Sequence, residues 1–230
     1  MRQLNKFTFN ICSTVSLHNQ INLLSNEDIK YIFNEFQKNK QIISCVDYFS
    51  EIERDECYIY SCPYEPKEYH KITNNFPGGI FKYVREISLF DEQPFEHKFL
   101  FQISQSFPFM KKLTLINEKP SRKLHDNNEH LSIIEYPHLS QLDLSEAQDD
   151  YIEQFLVDTK ISLSNSFYLC CRLSKVLKRV TQHFARNTTR INCSKVRSLC
   201  LIGKCRIPEH MKNIMIVINV CFNKKCLRTD

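Results

Sequence analysis

One motif constrains this chain more than any other: an apolar residue, two variable ones, an apolar residue, one variable, an apolar residue. It occurs as Val84-x-x-Ile87-x-Leu89, Met110-x-x-Leu113-x-Leu115, Leu139-x-x-Leu142-x-Leu144 and Val196-x-x-Leu199-x-Leu201. Phe167-x-Leu169 reads as a degraded copy without its first anchor. The central positions 87, 113, 142, 167 and 199 lie 26, 29, 25 and 32 residues apart, averaging 28. Two copies share an aromatic-Pro-x-apolar lead-in, Phe107-Pro108-Phe109-Met110 and Tyr136-Pro137-His138-Leu139.

Alternating apolar residues in a short strand put their side chains on one face of a β-ribbon. The spacing between copies leaves enough chain for a helix to return across that face and cover it. The intervening segments carry helical periodicity at Phe95, Phe99 and Ile103, and at Ile152, Phe155 and Leu156 after the capping pair Asp149-Asp150. Val176, Leu177, Val180 and Phe184 form a third stripe. One such unit cannot bury its own apolar face, so several must stack. Residues 80–210 are therefore expected to form an α/β, irregular leucine-rich-repeat-like solenoid of short parallel strands alternating with helices. Typical repeats place Asn or Cys three residues past the last anchor, where it caps the turn. Here those positions hold Glu92, Glu118, Ala147 and Lys204. The turns must be satisfied in another way, and the solenoid is expected to be irregular.

Residues 1–79 are less regular. Leu4-x-x-Phe7-x-Phe9 repeats the strand pattern once, and Ser25 with Asp28 opens a helix over roughly 26–38 carrying Ile29, Ile32, Phe33 and Phe36. Ile42 to Phe49 and Glu56 to Ser61 read as two strands around a polar turn. Pro63, Pro66, Pro77 and Gly78-Gly79 mark a loop before the repeats begin, and residues 211–230 are set apart as a tail.

The stretches KFTFNI, SNEDIKYIF, ISCVDYF, NNFPGGIFKYVREISLFDE, SFPFMKKLTLIN and LSIIEYPHLSQLDLS cover most of residues 4–160. They resemble the C-terminal halves of divergent F-box-like, leucine-rich-repeat proteins, with a weaker likeness from Asn187 to about His210. That resemblance implies substrate capture by the repeats for a ubiquitin ligase, with an N-terminal F-box docking the adaptor. Residues 1–25 offer neither the length nor the helical pattern of an F-box, so the chain resembles the repeat half alone.

Composition narrows the alternatives. The chain has only three glycines, Gly78, Gly79 and Gly203, none placed for a phosphate-cradling loop. No run reaches the roughly 18 apolar residues of a membrane span, and the N-terminus lacks a secretory signal. Eleven cysteines, an odd count without an export signal, are expected to be reduced thiols in an intracellular protein, cytoplasmic or nuclear. The sequons at Asn187 and Asn192 are then accidents of composition.

Cys57-x4-Cys62, Cys200-x4-Cys205 and Cys221-x4-Cys226 share an interval, and His210 lies between the last two pairs. Cys200, Cys205, His210, Cys221 and Cys226 are thus weak zinc candidates. Against this, cysteine often serves as a small buried hydrophobe, so no metal or other cofactor is assigned. Charge is asymmetric: residues 1–170 carry 17 Lys+Arg against 24 Asp+Glu, and residues 171–230 carry 14 against 2. Lys175, Lys178, Arg179, Arg186, Arg190, Lys195, Arg197, Lys204 and Arg206 make nucleic acid an alternative partner, although no nucleic-acid-binding motif accompanies them. No catalytic motif has a confirming context, and none of His138, His183 or Asp149-Asp150 is better explained as catalytic than as structural. The chain is therefore expected to bind rather than to catalyse.

The leading expectation is a protein-binding scaffold. Residues between the anchors project from the strand face opposite the core, the surface solenoids use for partners. They are Glu86, Ser88 and Phe90; Lys112, Thr114 and Ile116; Gln141, Asp143 and Ser145; and Ser198, Cys200 and Ile202. Phe90, Ile116 and Ile202 are expected to be exposed apolar contacts, unless neighbouring segments cover them. The partner and the oligomeric state are not legible in the residues.

Overall fold

The structure, a computed structural model, describes residues 9–16, 31, 42–49, 54–61, 63–117, 119, 132–157, 160–163, 166–172, 190–202 and 217–221. Three antiparallel strands come first: β1 (Asn10–Ser16), β2 (Ile42–Phe49) and β3 (Arg54–Ser61), with β3 in the middle. The chain then enters an open, seven-stranded, all-parallel sheet. Its strands are β4 (Glu68–Ile72), β5 (Glu86–Phe90), β6 (Lys112–Asn117), β8 (Gln141–Ala147), β10 (Phe167–Arg172), β11 (Val196–Ile202) and β12 (Val217–Cys221), side by side in chain order. Two short strands, β7 (Ile134–Tyr136) and β9 (Ile161–Leu163), pair with each other in a second parallel sheet. Helices α1 (His97–Ser106), α2 (Asp149–Leu156) and α3 (Arg190–Ser194) fall between strands.

The sequence repeat is the register of the sheet. Ile87, Leu113, Leu142, Leu169 and Leu199 stand next to one another across five strands. All five are buried, as are the third anchors Leu89, Leu115, Leu144 and Leu201. One expectation is corrected here. Phe167 pairs with Val196 in the first-anchor row, so Leu169 is the central residue of its copy and Cys171 the third. A bulge after Phe167 had hidden a complete copy behind an apparent deletion.

The buried row faces α1, α2 and the second sheet. Phe95 stacks on Phe99 at 4.9 Å, and Phe99, Leu100 and Ile103 fill the space under β5 and β6. Tyr151, Ile152, Phe155 and Leu156 of α2 do the same further on, joined by Ile134, Tyr136, Ile161 and Leu163. Tyr136 and Tyr151 keep their buried hydroxyls bonded, as buried polar groups must. Tyr136 donates to the Leu100 carbonyl (3.0 Å), and the Tyr151 oxygen accepts the Phe95 N–H (2.8 Å). The aromatic-Pro lead-ins are tight turns: Met110 N–H bonds back to Phe107 O, and Leu139 N–H to Tyr136 O. Each turn drops a first anchor into the core.

Further points depart from the sequence reading. The presumed loop over residues 63–79 contains β4, which brings Tyr69 beside Ile87 and starts the sheet before residue 80. It went unseen because a bulge separates Tyr69 from Ile72, with Lys71 at φ +56°, breaking the alternation. The 211–230 segment contributes β12, paired with β11 from Val217 to Cys221. The first strand is Asn10–Ser16, while Leu4 and Phe7 lie outside the described residues. Of the helix expected over 26–38 only Tyr31 is described, and it is helical; the stripe from Val176 to Phe184 also lies outside. Among the described residues, no helix is long and apolar enough to cross a membrane.

Candidate functional site

The face of the parallel sheet opposite the buried anchors is built row by row. At the strand starts stand Glu68, Glu86, Lys112, Gln141 and Tyr168. The next row runs Ser88, Thr114, Asp143, Cys170 and Cys200. Gln141 and Tyr168 are exposed; Glu86, Ser88, Lys112, Thr114 and Asp143 are half-buried. Lys112 bridges to Glu86 at 2.9 Å on this open surface, where water screens the pair and leaves it worth little. The face is thus polar and mixed in charge at its centre.

At the β4 edge, His70 joins Ser88 (Nδ1 to Oγ, 3.5 Å) and Glu68 (Nε2 to the carboxylate, 2.9 Å). The Ser88 oxygen also accepts the Lys71 N–H at 2.9 Å. His70 and Glu68 stand open to water, which screens their attraction. This chain of bonds orients the first strands of the face.

Five expected face residues sit differently from the reading: Phe90, Ile116, Ile202, Ser145 and Ser198, the last of them buried. Phe90 and Ile116 are half-buried rather than exposed, and so is Ile202. Phe90 is covered because Phe49, from the N-terminal sheet, packs edge-on against its ring at 5.1 Å. Ser145 is buried, its N–H bonded to Asp143 Oδ1 (2.9 Å). A register shift in β8 pairs Ile116 with Glu146, so Glu146 takes the place on the face that strict alternation gives to Ser145.

The N-terminal sheet closes the β4 side of this surface. Tyr60 enters an aromatic plug with Tyr64, Tyr69 and Phe81, at ring distances of 5.2, 5.6 and 5.8 Å. Phe76 and Phe107 complete it, each within 6.0 Å of Tyr69. Gly79, at φ +131°, lets the loop pass the Phe81 ring; a Cβ there would stand 3.0 Å from it. Lys71 Nζ meets the buried Glu56 carboxylate at 2.5 Å, and the Tyr58 hydroxyl donates to the same carboxylate. Asp47 is buried and accepts from Thr73 Oγ1 (2.7 Å) and Asn75 Nδ2 (2.9 Å). Burial pushes its pKa up, partly offset by those hydrogen bonds.

The turns past the strands are satisfied by residues the sequence reading passed over. They stand two positions past the last anchor, not three. Asn74 N–H donates to Asp91 Oδ2, and Asp91 Oδ1 accepts the Gln93 N–H, both at 2.8 Å. Asn117 donates to the Gln93 carbonyl at 2.6 Å and accepts the Lys119 N–H. Asn192 closes the free side of β9. Its amide donates to Ile161 O (2.7 Å) and accepts from Leu163 N (3.3 Å), the bonds a further parallel strand would make, and also donates to Phe155 O. The sequon at Asn192 is therefore buried against the fold; Asn187 lies outside the described residues.

Of the weak zinc set, Cys205, His210 and Cys226 lie outside the described residues. The register puts Cys221 beside Ile202, one row beyond Cys200. Among the described residues, no group of three or more His, Cys, Asp or Glu is placed to hold a metal ion. Most of the basic set also lies outside. Arg197 is exposed, and Lys195 donates to the Leu163 carbonyl. His138 is exposed beside Phe109, which the Arg85 guanidinium covers at 5.3 Å. Asp149 and Asp150 occupy the first turn of α2, where a negative charge suits the helix dipole. Comparison with protein-family models, with curated proteins and with solved structures finds no match for the chain.

Proposed function

We propose that this chain is a leucine-rich-repeat-like solenoid that binds another protein on the face formed by Glu86, Ser88, Lys112, Thr114, Gln141 and Asp143. The observation that supports this reading most is the alignment of the sequence repeat with the strand register. Each copy spends its anchors on the core, and β5, β6 and β8 leave Glu86, Ser88, Lys112, Thr114, Gln141 and Asp143 on the opposite face. Extended parallel arrays of this kind suit recognition of a protein surface, with many modest contacts spread over several strands. The N-terminal sheet then acts as the cap that a solenoid end requires. The resemblance to F-box-like repeat proteins extends the proposal: the partner is a substrate presented to a ubiquitin ligase. Binding rather than catalysis is the role proposed.

The test is affinity capture of the tagged chain from lysate at moderate salt, with nuclease present, using wild type, Gln141→Arg with Thr114→Arg, and Lys98→Glu. Lys98 is exposed on α1, on the other side of the core. A discrete protein lost with the double variant and kept by Lys98→Glu supports the proposal. Equal capture by all three, or capture abolished by nuclease, contradicts it.

A further inference from the structure

Cys170 and Cys200 are opposite one another on the neighbouring parallel strands β10 and β11, in the row that also carries Asp143. Paired residues on adjacent strands point to the same side of the sheet. Strand spacing of about 4.8 Å falls within the roughly 4.4–6.8 Å that a disulfide spans between Cα atoms. Cys200 is half-buried and reachable from the open face, whereas Cys170 lies beneath the surface. The neighbouring Cys171 points into the core and Cys193 is buried, so neither competes for the same reagent.

From this geometry we infer that Cys170 and Cys200 are a reactive dithiol, converted to an intrachain disulfide by low-molecular-weight disulfides of the glutathione class. Cys200, as thiolate, attacks one sulfur of the small disulfide, forming a mixed disulfide and releasing one small thiolate that takes up the proton. Cys170 then loses its proton, attacks the Cys200 sulfur and expels the second small thiol. The protein loses two electrons and two protons, and one small disulfide becomes two thiols. Burial and then the Asp143 charge hold the Cys170 thiol above its ordinary pKa, so Cys170 is not the entry thiol and its attack on the Cys200 sulfur is the slower step. The bond closes the 170–200 segment into a ring and ties β10 to β11 beside Asp143.

The experiment equilibrates the reduced full-length chain in glutathione redox buffers, quenches with acid, alkylates the remaining thiols and maps the cysteines by mass spectrometry. The expected product joins the Cys170 and Cys200 peptides and is lighter than the reduced protein by two hydrogen atoms. Cys170→Ser should stop at a glutathione adduct on Cys200. Cys200→Ser should leave Cys170 reduced, because the entry thiol is gone. Joining of Cys200 to Cys221 or to any other cysteine overturns the inference. So does a Cys170→Ser protein whose Cys200 stays free, or a wild type that remains fully reduced in the most oxidising buffer.

Discussion

The parallel sheet and the N-terminal antiparallel sheet solve the same burial problem with different chemistry. In the parallel sheet, equivalent aliphatic positions recur, and Ile87, Leu113, Leu142, Leu169 and Leu199 form one unbroken aliphatic row. At the β4 end there is no further copy to continue the row. The chain closes that end with large rings, Tyr60 and Phe49, and with two buried carboxylates, Asp47 and Glu56, each held by specific hydrogen bonds. Repetition tolerates exchange of similar residues, because volume and patterning suffice. The end does not, since each buried charge needs its own partner. The N-terminal sheet reaches this first strand through side chains, Glu56 to Lys71 and Tyr60 to Tyr69.

Several substitutions break or sharpen this contrast. Tyr60→Ala removes the centre of the aromatic plug and should cost about 3–5 kcal/mol, read as a lowered urea midpoint. Its loss should loosen the N-terminal sheet first, so proteolysis near residues 10–60 should precede global unfolding. Leu142→Ala, in the middle of the repeated row, should cost about 2–5 kcal/mol and lower the whole transition together, with no early cleavage. Equal behaviour of the two variants would erase the distinction. Asn192→Ala leaves Ile161 O and Leu163 N without their side-chain partner and should cost about 1–3 kcal/mol, while Asn192→Gln should not rescue it.

The smallest effect concerns Asp47. Its folded pKa is raised above the unfolded value, so the folded state binds the proton more tightly. Its contribution is therefore fully present below the ordinary carboxylate pKa of 3.8 and is lost as pH rises through the folded value. Denaturant titrations at a series of pH values should show a shallower dependence in Asp47→Asn than in wild type over that window. An unchanged slope would mean that Asp47 does not titrate differently in the two states.

Much of the parallel sheet was legible because its signal is periodic. Anchors at Val84, Ile87 and Leu89 recur with little change, and the strands and helices α1 and α2 follow from spacing alone. What escaped did so where a bulge shifts the period by a residue. Lys71 hid β4, the shift at Phe167 hid a complete copy, and the shift in β8 exchanged Ser145 for Glu146 on the outer face. The coverage of Phe90 by Phe49 was invisible for another reason: it is a contact between residues 41 positions apart, with no local pattern to announce it. The polar turn ladder at Asn74, Asp91 and Asn117 was missed because it sits two residues past the anchors rather than three.

The central claim, that the outer face of the parallel sheet docks a protein, is tested most directly by carboxyl footprinting of the chain alone and in complex with its captured partner. The account predicts that Glu86 and Asp143 become protected, while Glu96 and Glu135, exposed elsewhere on the molecule, react as before. Protection of Glu96 or Glu135 with Glu86 and Asp143 unchanged would place the partner on another surface and contradict it.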